Sequence, residues 1–258
     1  MRYNIVTLQE KPELAEQILL LNRAAWPKFL LHANTLHWNS LYTTFTGFQL
    51  VLCDLYGNVI AVGHTIPLVW DGNPASLPMN FDDLLERAII CHQRGHNATT
   101  LSALGAVVAP SHRRQGLSGA ILREMIKLAT QRRLNDLIAP VRPTMKDQYP
   151  LIPIERYVEW KRPDGSPFDF WLRVHWRLGG VQLQVAPEAM RVQGSVAEWE
   201  EWTGMEFPES GRYVVPGALQ PVSIDRDKDY GLYCDPNVWV RHPISKIDTE
   251  NPNTQAER

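Results

Sequence analysis

Hydrophobic positions in this chain recur with two periods, and the switches between them divide it into elements. Tyr3 to Leu8 alternates weakly and predicts a short first strand. Leu14, Ile18, Leu21 and Ala25 fall at helical spacing behind Pro12, with Glu13 and Glu16 in the first turn. They predict a helix ending near Trp26-Pro27, with a second, short one over Trp38 to Phe45. Phe48 to Leu55 and Val59 to Val69 predict two strands joined by the tight turn Tyr56-Gly57-Asn58. Asp71-Gly72-Asn73-Pro74 then breaks the sheet. Phe81, Leu84, Leu85, Ala88 and Ile89 predict an amphipathic helix with Asn80 as N-cap and Gly95 as stop.

The run from Leu101 to Val108 is almost wholly apolar and predicts a buried strand. Leu117, Ile121, Met125, Leu128 and Ala129 make the buried stripe of a helix reaching about Arg133. Leu137 to Val141 predicts the next strand. Tyr149 to Trp160 is interrupted by proline and predicts a loop with a short helix. Phe168 to Leu178, closed by Gly179-Gly180, predicts a helix, and Val181 to Val185 a strand. Ser195-Val196-Ala197-Glu198 is a capping box for a helix ending at Gly204. Leu219 to Ile224 and Leu232 to His242 predict a hairpin, and Ser245 to Arg258 a polar, frayed tail.

Composition narrows the partners. The 258 residues suffice for a sizeable core, and no linker divides them. We expect one domain over 1–244, with an insertion at about 71–98, a C-terminal extension at about 184–244 and a flexible tail at 245–258. The net charge of −2 favours neither nucleic acid nor an anionic membrane. Three widely spaced cysteines, Cys53, Cys91 and Cys234, fit neither a disulfide framework nor a metal site. No signal-peptide layout opens the chain, so a cytoplasmic protein is expected. His92 and His96 have zinc-helix spacing, but Gly95 breaks the helix between them. Asp225 to Gly231 starts like a calcium loop, but its twelfth position is Pro236. No metal is expected.

The most informative stretch lies where the buried strand gives way to the long helix. It reads Val108-x-Pro110-x-x-Arg113-x-x-Gly116-x-Ser118. A strand, a basic glycine-containing turn and a helix N-terminus together present free N–H groups, helix dipole and two arginines to an anion such as a pyrophosphate. In this motif and in the order of its elements the chain resembles the GNAT (GCN5-related) acyltransferase superfamily. The family pattern is (Q/R)-x-x-G-x-(G/A); the departure is Ser118, still small enough for close backbone approach.

The resemblance covers about Tyr3 to Leu183 and implies a mixed, mostly antiparallel α/β fold. It also implies acetyl-CoA, or another acyl-CoA, as cofactor. By that analogy the turn formed by Arg113, Arg114, Gln115, Gly116, Leu117, Ser118 and Gly119 holds the pyrophosphate, and the strand end at Val107 and Val108 aligns the pantetheine arm. A tyrosine four residues before the glycine that ends the penultimate helix often protonates the leaving thiolate in the family; His175 takes that place here. Tyr149 and Tyr157 are rival donors. Arg142 is a candidate for an acidic acceptor, and Trp26, Trp38, Phe29 and Tyr42 for the walls of its pocket. His64 and Asp71 border the same region. The expected activity is N-acetyl transfer by direct attack of an amine, on a small molecule or a carrier or protein acceptor, with dimerisation as a family trait. The competing expectations are an acyl-CoA sensor without turnover and an acyl-carrier-linked transferase or decarboxylase. An open gap between the central strands distinguishes catalysis from the sensor.

Overall fold

The computed structural model describes residues 3–33 and 36–244, and the expected tail lies outside them. Strands β1 (Asn4–Thr7), β2 (Gln49–Cys53) and β3 (Val59–Leu68) form an antiparallel meander. Helices α1 (Ala15–Ala25) and α2 (Ser40–Thr43) lie between β1 and β2. The helix expected over Trp38 to Phe45 is thus a single turn. Helix α3 (Phe81–Gln93) starts as expected at Asn80, whose side chain accepts from the Asp83 amide at 2.9 Å. The remaining elements are β4 (Thr100–Val108), α4 (Leu117–Gln131), β5 (Asp136–Val141), α5 (Ile154–Tyr157), α6 (Phe170–Arg177), β6 (Val181–Gly194), α7 (Val196–Thr203), β7 (Gly211–Tyr213), β8 (Val222–Asp225) and β9 (Tyr230–Pro243).

Among the described residues the strands form one nine-stranded sheet in the order β1-β2-β3-β4-β5-β9-β8-β7, with β6 also on β9. Every pairing is antiparallel except β4 with β5. The fold is therefore the expected mixed α/β one, with helices flanking a mostly antiparallel sheet. Its C-terminal part is more extensively paired than the sequence pattern predicts. β6 runs to Gly194 rather than Val185, because the register shift between Ala186 and Met190 interrupts the alternation without ending the strand.

Two features of β4 position the site. The parallel pairing covers only Thr100–Ser102 against Asp136–Ile138. Beyond it β4 stays on β3 as far as Val108, and β5 stays on β9 as far as Val141, so the two strands part. In addition, Leu104 is an extra residue opposite the His64/Thr65 step of β3, a bulge that re-aims the strand where the gap opens.

The alternation of β5 and β9 sorts their side chains by face. Leu137, Ala139, Val141, Val238 and Val240 pack with Ile121, Met125 and Ala129 of α4. Each fully buried aliphatic side chain of this kind contributes ~1.5–3 kcal/mol. Ile138 and Trp239 pack on the opposite face with Leu104 and with Leu84 and Leu85 of α3. By period two, Pro140 and Asn237 belong to that second face, and His242 to the first.

Candidate active site

A cleft of about 500 Å³ occupies the gap between β4 and β5 and is lined by residues from both faces of the sheet. On the α4 face it is lined by Val108, Arg113, Trp171 and His175. On the opposite face it is lined by Trp26, Val107, Arg142, Met190, Gly217 and Asn237.

The α4 mouth is built by the motif. Pro110–His112 form one 3-10 turn, after which Arg114 and Gly116 both take positive φ, 63° and 77°. Only glycine adopts this conformation without strain, which accounts for Gly116 in the pattern. The double reversal aims successive N–H groups the same way. No side chain caps α4, and the amides of Arg114, Gln115, Gly116, Leu117, Ser118 and Gly119 donate to no protein group among the described residues. A row of unpaired amides beside the Arg113 guanidinium fits a pyrophosphate. Val107 keeps one edge paired with Val62 of β3 while the other borders the cleft, which fits an extended arm lying along β4.

His175 reaches the cleft from α6, a helix fixed by the Asp169 cap on the amides of Trp171 and Leu172. Its ring is 2% exposed, and its Nδ1 lies 2.9 Å from His242 Nε2. His242 Nδ1 in turn lies 3.3 Å from the Leu178 carbonyl. Burial, and secondarily the neighbouring His242 ring, push the His175 pKa well below its ordinary value. The ring is therefore neutral at neutral pH, so it must first take a proton before it donates one to a thiolate.

Arg142 sits on the opposite face, just beyond β5. Its Nε donates to both carboxylate oxygens of Asp235 at 3.0 Å, and its Nη2 to the Gly217 carbonyl at 2.8 Å. Burial is the largest single influence and opposes the charge, but the fully buried Asp235 carboxylate and the Tyr233 hydroxyl together outweigh it and raise the Arg142 pKa. Asp235 is itself held by the Tyr233 hydroxyl at 2.6 Å. Asp235 and Gly217 thus fix the guanidinium, which lines the cleft. Asn237, two residues along β9, donates from Nδ2 to the Pro140 carbonyl at 3.2 Å, and its buried Oδ1 has no partner.

Seven of the other candidates lie elsewhere. Tyr149 and Tyr157 pack edge-on or tilted against Trp160 and Phe168 in an aromatic cluster away from the cleft. The Tyr157 hydroxyl donates to Asp169, and burial, with that carboxylate, raises its pKa far above the ordinary value. Trp38 and Tyr42 pack edge-on against His64. Phe29 is core, against Trp199 and Tyr233. His64 is buried between Gln49 and Asn22, while Asp71 is an exposed turn residue bonded to Ser76. Trp26 does reach the cleft, against Gly105 of the splayed strand. The sequence reading missed Asn237, His242, Gly217 and Met190, all of them in the C-terminal extension.

A curated relative, the arginine N-acetyltransferase avaD of Aspergillus versicolor, is 31% identical over 275 residues, covering 94% of each chain. The chain belongs to the GNAT superfamily. No family model matches it. Two solved structures share the GNAT fold over nearly their whole length. The loading GNATL domain of CurA from Lyngbya majuscula has a TM-score of 0.62 at 14% identity, covering 95% of this chain and 98% of that one. The GphF GNAT-like decarboxylase in complex with isobutyryl-CoA has a TM-score of 0.58 at 16% identity, covering 95% and 100%. This GNAT protein is an acyl-CoA-dependent N-acetyltransferase acting on an amine. Among its described residues no helix is long and apolar enough to cross a membrane.

Proposed function

We propose that this enzyme acetylates the amine of a free amino acid from acetyl-CoA, with arginine the first candidate. The observation that carries the reading is Arg142, a guanidinium held rigid by Asp235 and Gly217 that lines the cleft on the face opposite His175. A pre-organised arginine of this kind is suited to a carboxylate. The activity of the fungal relative supports arginine as substrate.

Bound acetyl-CoA supplies an activated acyl carbonyl. The amides of Arg114 to Gly119 and the Arg113 side chain bind its pyrophosphate, and the free edge of Val107 and Val108 orients the arm. Arg142 binds the acceptor carboxylate from the other face, and Asn237 Oδ1 accepts an N–H of the acceptor. His175 takes the proton of the attacking nitrogen at Nε2 and delivers it to the departing sulfur. The gap is open, which supports turnover over a sensor role.

The test is thiol release from acetyl-CoA with arginine, other amino acids and agmatine, which is arginine without its carboxylate. Arginine should be turned over with a kcat/KM at least ~10-fold above agmatine, the worth of one charge-assisted contact. Equal rates would remove the carboxylate role of Arg142. Release with none of the amines would overturn the amino-acid assignment.

A further inference from the structure

The hydrogen bonds around His175 fix which nitrogen carries its proton. A backbone carbonyl only accepts, so the Leu178 oxygen requires the His242 proton on Nδ1. His242 Nε2 is then a bare lone pair, and it faces His175 Nδ1 at 2.9 Å. His175 must therefore carry its own proton on Nδ1. The order from carbonyl to cleft is Leu178 C=O, His242, His175, and it ends on the Nε2 lone pair of His175.

The backbone is shaped around this pair. His242 lies on β9 opposite Leu137, in a pairing without register shifts. Gly180, just after α6, lets the two rings meet: a Cβ there would lie 2.8 Å from the His175 carbonyl oxygen and 2.9 Å from His242 Nε2. Trp171 closes the edge of His175, with ring centroids 4.6 Å apart. Both histidines are 2% exposed, and among the described residues neither ring is hydrogen-bonded to a carboxylate.

We propose that His242 is a positioning residue for acyl transfer, which fixes His175 in the Nδ1–H tautomer so that Nε2 faces the cleft as a proton acceptor. The inference rests on the role given to His175 above. In the balanced step, the neutral amine nitrogen forms the C–N bond and passes one proton to His175 Nε2. The C–S bond breaks, and the sulfur takes that proton from Nε2. Both imidazoles end as they began, with no other reactant consumed. A neutral partner suits this double duty. A carboxylate behind His175 would stabilise the imidazolium and retain the proton, whereas an imidazole orients the ring without adding charge.

The test combines a spectrum with two substitutions. In the free wild-type protein at neutral pH, long-range proton–nitrogen spectra of labelled histidine should show both rings as neutral Nδ1–H tautomers. A His175 ring protonated on Nε2 would overturn the proposal without any variant. His242→Phe keeps a ring but removes the acceptor. It should lower kcat at least ~10-fold, within the ~10²–10⁴-fold that general acid–base catalysis supplies. Coenzyme A affinity by calorimetry should be unchanged, and the His175 ring should move toward the Nε2–H form. His242→Gln retains an acceptor for His175 and a donor for Leu178, so it should restore most of kcat and the tautomer. Wild-type kcat in His242→Phe, or no difference between Phe and Gln, would refute the positioning role. His175→Phe separates the two readings. If it is slow while His242→Phe is not, His242 alone is refuted; if it retains kcat, the proton role of His175 falls and the inference with it.

Discussion

In the proposed binding mode Arg142 and Asn237 divide the recognition of an acceptor between a charge that is already paired and a dipole that is not. The Arg142–Asp235 pair is neutral as a unit, so its enclosure costs less than that of either ion alone. The pairing also removes most of the entropy that a free arginine would lose on binding. Asp235→Asn should therefore do two kinds of damage. Leaving the guanidinium buried without its counter-charge should cost ~3–5 kcal/mol of stability in urea titration. In protein that still folds, KM for arginine should rise while coenzyme A affinity holds; an unchanged KM would show that the fixed geometry is not used. Asn237→Leu makes the opposite separation. Its Oδ1 satisfies nothing in the free protein, so the stability change should stay within about 1–2 kcal/mol, set by the lost bond to Pro140. The acceptor KM should rise by about 10-fold, the worth of one hydrogen bond. An unaltered KM would return Asn237 to the structural residues.

At the scale of elements, the turn before α4 makes the most direct prediction. Arg113→Glu leaves the backbone amides in place and reverses the charge beside them. Acetyl-CoA affinity by calorimetry should fall at least ~10-fold, and the loss should shrink as salt screens the exposed charge. Equal affinity would place the pyrophosphate elsewhere. This half of the site was legible because a short contiguous segment builds it, so a strand pattern, a glycine and a helical stripe suffice to find it. His175 was singled out through the family resemblance, by its place four residues before Gly179. The acceptor half depends on which strand lies beside β5, and that is a long-range property. Asp235, Asn237 and His242 look alike in sequence, as polar residues in an apolar strand. Alternation along β9 puts Asn237 on one face and His242 on the other, but only the pairing of β9 with β5 brings them to the site. Tyr149 and Tyr157 became rival donors because a proline-rich loop has no period from which to read a direction. β7 went unpredicted because its three residues, Gly211–Tyr213, carry no alternation of their own.

Over the whole molecule, three histidines are enclosed as neutral rings, and together they set an acid limit on the fold. His64 joins the most elements. Its Nδ1 lies 3.0 Å from Gln49 Oε1, its Nε2 3.0 Å from Asn22 Nδ2, and Trp38 and Tyr42 close its edges. It thus ties α1 and the α2 region to β2 and β3, level with the β4 bulge. No carboxylate bonds to it among these contacts, and burial alone lowers its pKa from 6.5 to about 4. Burial lowers both His175 and His242 as well. The sign follows from proton counts. Above 6.5 neither the folded nor the unfolded chain protonates these rings, and their enclosure has no dependence on pH. Between 6.5 and about 4 the unfolded chain takes up protons that the folded His64 refuses, so stability falls as pH falls. At ~1.4 kcal/mol per pH unit, His64 alone accounts for a loss of about 3 kcal/mol over that window. The other two rings steepen the slope within it. Thermal melts should therefore give a level Tm above pH 6.5 and a declining one from there toward pH 4. His64→Gln should lower stability at neutral pH and make the decline shallower, since it removes one ring from the linkage. A Tm that stays level from pH 7 to pH 5 would show that these rings are solvated in the folded protein, and that the junction of α1 with the sheet is looser than its hydrogen bonds imply.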